Sequence, residues 1–166
     1  MELSIIDMGN SYIPGVIGQV TRLHAEYYYK NWGFDIYFES KVAIELSEFF
    51  RRYDKDRDGV WLARLDDKIE GSIVIDGIGA SEKGAHLRWF IVSDILRGKG
   101  IGKRLIHRAI NFCREKNYGI VYLWTFKGLD AARHLYESVG FKLIKQQKGT
   151  QWGKEVIEQY FELKLC

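Results

Sequence analysis

Cysteine and proline are scarce: the 166 residues hold two of the first and one of the second. The cysteines, Cys113 and Cys166, stand far apart, so no C-x-x-C pair, disulfide framework or zinc spacing can be built from them. That points to a reducing, cytoplasmic setting. The single proline leaves no Pro-rich linker, and there is no low-complexity tract or repeat period. Also missing is any run near the roughly 18 apolar residues of a membrane span. Glu2 and Asp7 stand where a targeting segment would be basic. No membrane partner is expected. Charge of one sign is lacking too: 25 Lys plus Arg against 22 Asp plus Glu leave +3, too little to mark a nucleic-acid binder. What is present is an ordinary globular composition, 46% hydrophobic, 14% aromatic and 28% charged. The length fits one domain over residues 1–166, with no internal boundary.

Periodicity orders the elements. Leu3 to Met8 is short and apolar and reads as a strand. Val16, Val20, Leu23 and Tyr27 recur at three- and four-residue steps, which predicts a helix over Pro14 to Lys30. The aromatic stretch Asn31 to Phe38 has no clean period and reads as a loop. Val42, Leu46, Phe49 and Phe50 then place a second helix over Glu39 to Tyr53. Val60 to Leu65 and Lys68 to Asp76 form a hairpin about Asp66-Asp67. A glycine-containing loop, Gly77 to Gly84, leads to a strand over His86 to Val92. Ile101, Leu105, Ala109, Phe112 and Cys113 predict a third helix, ending at Lys116. The continuous apolar run Ile120 to Phe126 suits a strand buried on both faces. Asp130 to Val139 is a short helix closed by Gly140, and Phe141 to Gln146 and Val156 to Leu165 complete the chain as strands. The order β-α-α-β-β-β-α-β-α-β-β describes an α/β (α+β) chain with a mixed sheet.

Two motifs invite chemistry. Asp54-Lys55-Asp56-Arg57-Asp58-Gly59 opens like a calcium loop, but the twelfth position is Leu65 instead of a bidentate glutamate, so it reads as a solvated turn. No metal is expected. The stronger feature is Arg97-Gly98-Lys99-Gly100-Ile101-Gly102, between a strand and a helix. Glycines remove side chains from the backbone, and the first N–H groups of a helix lack intrahelical partners, so such a terminus attracts phosphate. Arg97, Lys99, Lys103 and Arg104 supply positive charge around it. The spacing fits neither G-x-x-x-x-G-K-S/T nor G-x-G-x-x-G, since Lys103 stands where the last glycine of the latter belongs. These cations sit on one loop without stacking aromatics, which argues against a nucleic-acid partner.

The loop is similar to R/Q-x-x-G-x-G/A, the acetyl-CoA pyrophosphate signature of the GNAT superfamily of N-acetyltransferases. Downstream, Ala132-Arg133-His134-Leu135-Tyr136-Glu137-Ser138-Val139-Gly140-Phe141 resembles that family's A-x-x-L-Y-x-x-x-G-F segment. The resemblance implies a single domain with a mostly antiparallel central sheet flanked by helices, residues 60–165 forming the cofactor-binding and catalytic core and 1–53 the acceptor-side helices. It implies acetyl-CoA as acyl-donor cosubstrate, with pantetheine against the backbone of Phe90, Ile91 and Val92 and pyrophosphate on the amides from Arg97, Gly98, Lys99, Gly100, Ile101 and Gly102 to Lys103. A backbone N–H near Ile91 would steady the oxyanion, and Tyr136 would act as general acid toward the departing thiolate. An asparagine often found seven residues before the tyrosine is replaced here by Leu129, beside Asp130.

The general base is open among His86, Glu70 and Glu82. The aromatics Tyr27, Tyr28, Tyr29, Trp32, Phe34, Tyr37 and Phe38 are read as core and packing surface ahead of an acceptor pocket, Trp89 and Trp124 as core or pocket wall, and His24, His107 and His134 receive no role. Cys113 lies on the apolar stripe of its helix, away from any nucleophile's place. The expected partner is a small-molecule or peptide amine, and C-terminal edge strands leave room for a homodimer. A non-catalytic acyl-CoA sensor with the same fold is the alternative reading.

Overall fold

Strand alternation and helical stripes bury opposite faces of one sheet beneath two pairs of helices. A computed structural model describes residues 2–165, so Cys166 lies outside the described residues. The elements are β1 (Leu3–Asp7), α1 (Val16–Trp32), α2 (Ile36–Arg51), β2 (Gly59–Leu65), β3 (Lys68–Asp76), β4 (Ala85–Val92), a 3-10 turn (Asp94–Leu96), α3 (Ile101–Glu115), β5 (Ile120–Phe126), α4 (Asp130–Ser138), β6 (Lys142–Gly149) and β7 (Val156–Lys164). The order of strands and α-helices is the one read from periodicity. The strands form a single 7-stranded sheet in the order β1-β2-β3-β4-β5-β7-β6. All neighbours are antiparallel except β4 and β5. No helix among the described residues is long and apolar enough to cross a membrane.

On one face, Leu105, Ile106, Ala109 and Cys113 of α3 and Tyr136 of α4 meet Ile73, Ile75, Leu87, Leu123 and Phe161 of the sheet. On the other, Val20 and Leu23 of α1 and Phe38, Val42, Leu46 and Phe49 of α2 meet Leu62, Val74, Ile91 and Phe126. Apolar burial of this kind contributes about 25 cal/mol per Å², so the sheet is held from both sides.

Two boundaries differ from the sequence reading by three residues, the others by at most two. The second helix begins at Ile36, inside the stretch expected to be loop. Asp35 caps it by accepting from the Ile36 N–H at 2.6 Å, and Phe38 is already a buried helical position, while Ile36 and Tyr37 face solvent and obscure the period. The strand expected to end at Gln146 runs to Gly149, because its Lys and Gln side chains lie at an exposed edge where nothing enforces apolar alternation.

Candidate active site

The parallel pair β4 and β5 touches at only two positions, Ala85↔Val121 and His86↔Tyr122. Beyond them the strands part: the rest of β4 pairs with β3 alone and the rest of β5 with β7 alone. A gap therefore opens in the middle of the sheet, flanked by one edge of each strand.

Within the free half of β4 the ladder is interrupted. Trp89 has φ 46, a left-handed conformation that is an outlier for so bulky a residue. Neither Trp89 nor Phe90 has a register partner on β3. The bulge is held by the Ser72 hydroxyl, which donates to the Trp89 carbonyl at 2.6 Å, by the Arg88 guanidinium 4.0 Å from the indole ring, and by Phe49 at 5.7 Å. Bulges re-aim the backbone next to active sites, and this one lies in the strand segment that borders the gap.

At the end of β4 the chain makes its 3-10 turn and enters α3 through Gly98 and Gly100, at φ 75 and 72. The Arg97 N–H bonds back to Asp94, and the Arg104 N–H is the next to find a backbone carbonyl, that of Gly100. The N–H groups from Gly98 through Lys103 between them donate to no protein acceptor among the described residues. A Cβ added at Gly98 or Gly100 would meet nothing within 4 Å, so this ring of donors faces open space. Arg97 is paired with Asp94 at 2.7 Å, whereas Lys99, Lys103 and Arg104 are exposed and have no carboxylate partner among the described residues. Gly102 is different: its Cβ would lie 3.0 Å from Leu135, so it lets α4 pack against the start of α3.

Two helices cover the gap from opposite faces. From α4, Tyr136 contacts Phe90 of β4 at 5.9 Å and Phe161 of β7 at 6.2 Å; burial raises its phenol well above the ordinary tyrosine value. From the other face, α1 runs from β3, where Gln19 accepts from the Ile69 N–H, to β5, where Trp32 meets Phe126 at 4.8 Å. It thus crosses β4 and the gap, and its inner stripe carries Thr21, His24 and Tyr28. Tyr28 packs against Phe126 and Phe34, and burial raises its phenol, with Tyr136 and Tyr27 adding to the effect. His24 donates from Nδ1 to the Val20 carbonyl at 2.8 Å, and burial lowers its ring to about 4 against that bond's opposing pull. The Thr21 hydroxyl is buried with no hydrogen-bond partner among the described residues.

The sequence matches the Acetyltransferase (GNAT) family over residues 18–141. The chain belongs to that family of acetyltransferases. Among relatives, N-acetyltransferase 8B of Homo sapiens is 25% identical over 158 residues, covering 93% of this chain and 70% of that protein. N-acetylaspartate synthetase of Danio rerio is 32% identical over 121 residues, 72% of this chain and 43% of the relative. The chain thus spans less than half the length of the latter. Among solved structures, a GNAT acetyltransferase of Staphylococcus aureus superposes with a TM-score of 0.75 at 20% identity, covering 99% of this chain and 100% of the other. A putative acetyltransferase of Salmonella typhimurium, solved with its cofactor acetyl-CoA, gives 0.72 at 14% identity over 100% and 95%. These likenesses make the chain an acyltransferase with the GNAT fold.

The candidate residues fall into different places on this GNAT frame. Phe90, Ile91 and Val92 form the free end of β4, and Gly98 to Lys103 form the donor ring; the Arg97 N–H, expected among the pyrophosphate donors, is instead bonded to the Asp94 carbonyl. His86 lies at the point where β4 and β5 still pair, stacked 4.5 Å from Tyr122; burial, then Arg88, with Lys83 adding, lowers it to about 3 against the pull of Asp76. Glu70 is buried and faces Arg22 of α1 at 3.6 Å, while Glu82 is exposed on the β3–β4 loop. Leu129 occupies the position before α4. Cys113 is buried on α3, its thiol pushed up to about 12 by burial. In the acidic loop, Asp58 is buried and accepts from Arg57 and from the Gly77 N–H. The bulge at Trp89 and the polar stripe of α1 went unread, since tryptophan is no turn residue and the spacing of Thr21, His24 and Tyr28 is that of any buried helix face.

Proposed function

We propose that the protein transfers an acetyl group from acetyl-CoA to a primary amine by direct attack in a ternary complex. The observation that carries this is the ring of unpartnered N–H groups from Gly98 to Lys103 beside the gap between β4 and β5. Such donors at a helix start suit a diphosphate, and the free edge of β4 suits an extended pantetheine, which would add to it like a strand. Coenzyme A, when bound, supplies the activated thioester. Relatives named as N-acetyltransferases and N-acetylaspartate synthetases support an amine acceptor.

In this reading residues 1–166 form one N-acetyltransferase domain, with 60–165 as the catalytic core and 1–53 on the acceptor side. The amine nitrogen attacks the thioester carbonyl carbon, and the oxyanion accepts from a β4 N–H near Ile91. The C–S bond breaks and the thiolate takes the Tyr136 proton, which burial keeps in place near neutral pH. The amine's proton leaves through water toward Glu70, and the Tyr136 phenolate regains a proton from water; His86, lowered to about 3, is a poor acceptor, and Glu82 lies exposed at the opposite end of β4 from the donor ring. The buried Cys113 forms no acyl intermediate. The open edge of β6 is the site at which two copies would pair as a homodimer.

Free-thiol release from acetyl-CoA, followed with a panel of amines, tests the reading. Amine-dependent release is expected. A protein that binds coenzyme A yet releases no thiol above background with any amine is a sensor instead.

A further inference from the structure

On the α1/α2 side of the sheet, beyond the part those helices cover, lies a groove of about 660 Å³. It starts where β4 and β5 separate and is bordered by Arg88 and Trp124, one on each parting strand, so it leads into the gap. Its floor is a continuous slab of rings. His86 stacks on Tyr122 at 4.5 Å, Tyr122 stacks on Tyr160 at 5.6 Å, and Trp124 meets Tyr160 at 5.0 Å. The slab is uncharged, since His86 stays neutral to about pH 3.

The charges above it are unequal. Arg88 is committed, with one nitrogen on Asp76 at 3.0 Å and another on Glu45 at 2.8 Å. Glu162 accepts from the Tyr160 hydroxyl at 2.8 Å. Lys145 lies with its ammonium 5.4 Å from the Trp124 ring and 5.3 Å from that of Tyr160, and it has no carboxylate partner among the described residues. Lys83, beside His86, has none either. Two cations without a carboxylate partner among the described residues thus flank an aromatic surface of stacked and tilted rings beside the gap.

We propose that this groove selects an amine that also carries a carboxylate and an apolar body, as an aromatic amino acid does, with the carboxylate paired to Lys145 and the body against the rings. A polycationic amine would be repelled by both lysines. The proposal rests on the acetyl-transfer reading, and the experiment separates the two. With saturating acetyl-CoA, thiol release is compared for L-phenylalanine, phenethylamine, spermidine and L-aspartate. Phenylalanine is expected to exceed phenethylamine about tenfold in kcat/KM, the worth of one charge-assisted contact. Lys145→Gln is expected to raise KM for phenylalanine by a similar factor, with kcat and the phenethylamine values little changed. Phenethylamine or spermidine matching phenylalanine, or Lys145→Gln moving both amines alike, would overturn the proposal. Aspartate outrunning phenylalanine would overturn its apolar-body half. If no amine releases thiol, calorimetry with coenzyme A present decides: absence of heat with phenylalanine sinks the groove assignment, whereas absence of heat with coenzyme A itself sinks the acetyl-transfer reading.

Discussion

Tyr136 combines burial with a hydroxyl that has no hydrogen-bond partner among the described residues, between Phe90, Phe141 and Phe161. A phenol held only by ring packing is free to share its proton with a leaving group and contributes little to stability through its oxygen. Tyr136→Phe is therefore expected to lower kcat about a hundredfold, the lower range for lost proton transfer, while the urea midpoint and the affinity for acetyl-CoA stay close to wild type; equal turnover would remove the tyrosine from the reaction. His24 makes a different demand. Its ring titrates near 6.5 when unfolded and about 4 in the folded protein, where burial disfavours the cation. Between those values the unfolded chain binds more protons, so this stability is present above pH 6.5 and is lost as pH falls through the folded value. Wild type is expected to lose roughly 1 to 2 kcal/mol more between pH 7 and 5 than His24→Asn, which still reaches the Val20 carbonyl but cannot titrate. Urea unfolding at the two pH values checks this, and identical losses would mean that His24 does not carry the slope.

The strand–loop–helix unit from β4 to α3 holds most of the candidate cofactor site, and its parts were unequally legible. Strand alternation, the spacing of glycines and the stripe of Ile101, Leu105 and Ala109 are local patterns, so the order of elements and the loop could be read directly. No local pattern marks the gap, because the parting of β4 and β5 after His86↔Tyr122 depends on pairings with β3 and β7 far along the chain. The groove was hidden for the same reason: Lys145 meets Trp124 and Tyr160 only once three strands are assembled. Two substitutions separate strain from chemistry here. At φ 72 any side chain on Gly100 costs about 1 kcal/mol, so Gly100→Ala and Gly100→Glu should be destabilised alike. Only the glutamate, placing negative charge against the donor ring, should abolish coenzyme A binding in calorimetry. In an ordinary strand glycine is about 0.5–1 kcal/mol worse than alanine. At Trp89, with φ 46, that order should reverse, so Trp89→Gly should unfold at a urea concentration no lower than Trp89→Ala does. The usual order would show that the backbone relaxes once the indole is gone.

At the scale of the whole molecule the sheet is two antiparallel blocks, β1-β2-β3-β4 and β5-β7-β6, hinged on one short parallel contact. The packing of α1 and α2 on one face and of α3 and α4 on the other holds the blocks together where the strands do not. A ligand strand laid along β4 and anchored at the mouth of α3 would satisfy backbone groups that the protein leaves open, and would tie the gap's border to α4. Coenzyme A at about a hundred times its Kd adds roughly 2.7 kcal/mol to the folded state. For a chain of this size that raises Tm by about 5–10 °C. The location of the effect is more telling than its size. Hydrogen exchange should slow at the amides of Phe90 to Val92 and of Gly98 to Lys103, while those of β1 and of the outer edge of β6, distant from the gap in strand order, change only by the global increment. Uniform slowing would indicate binding elsewhere, and protection confined to Gly98–Lys103 would leave the diphosphate in place but remove the pantetheine from β4.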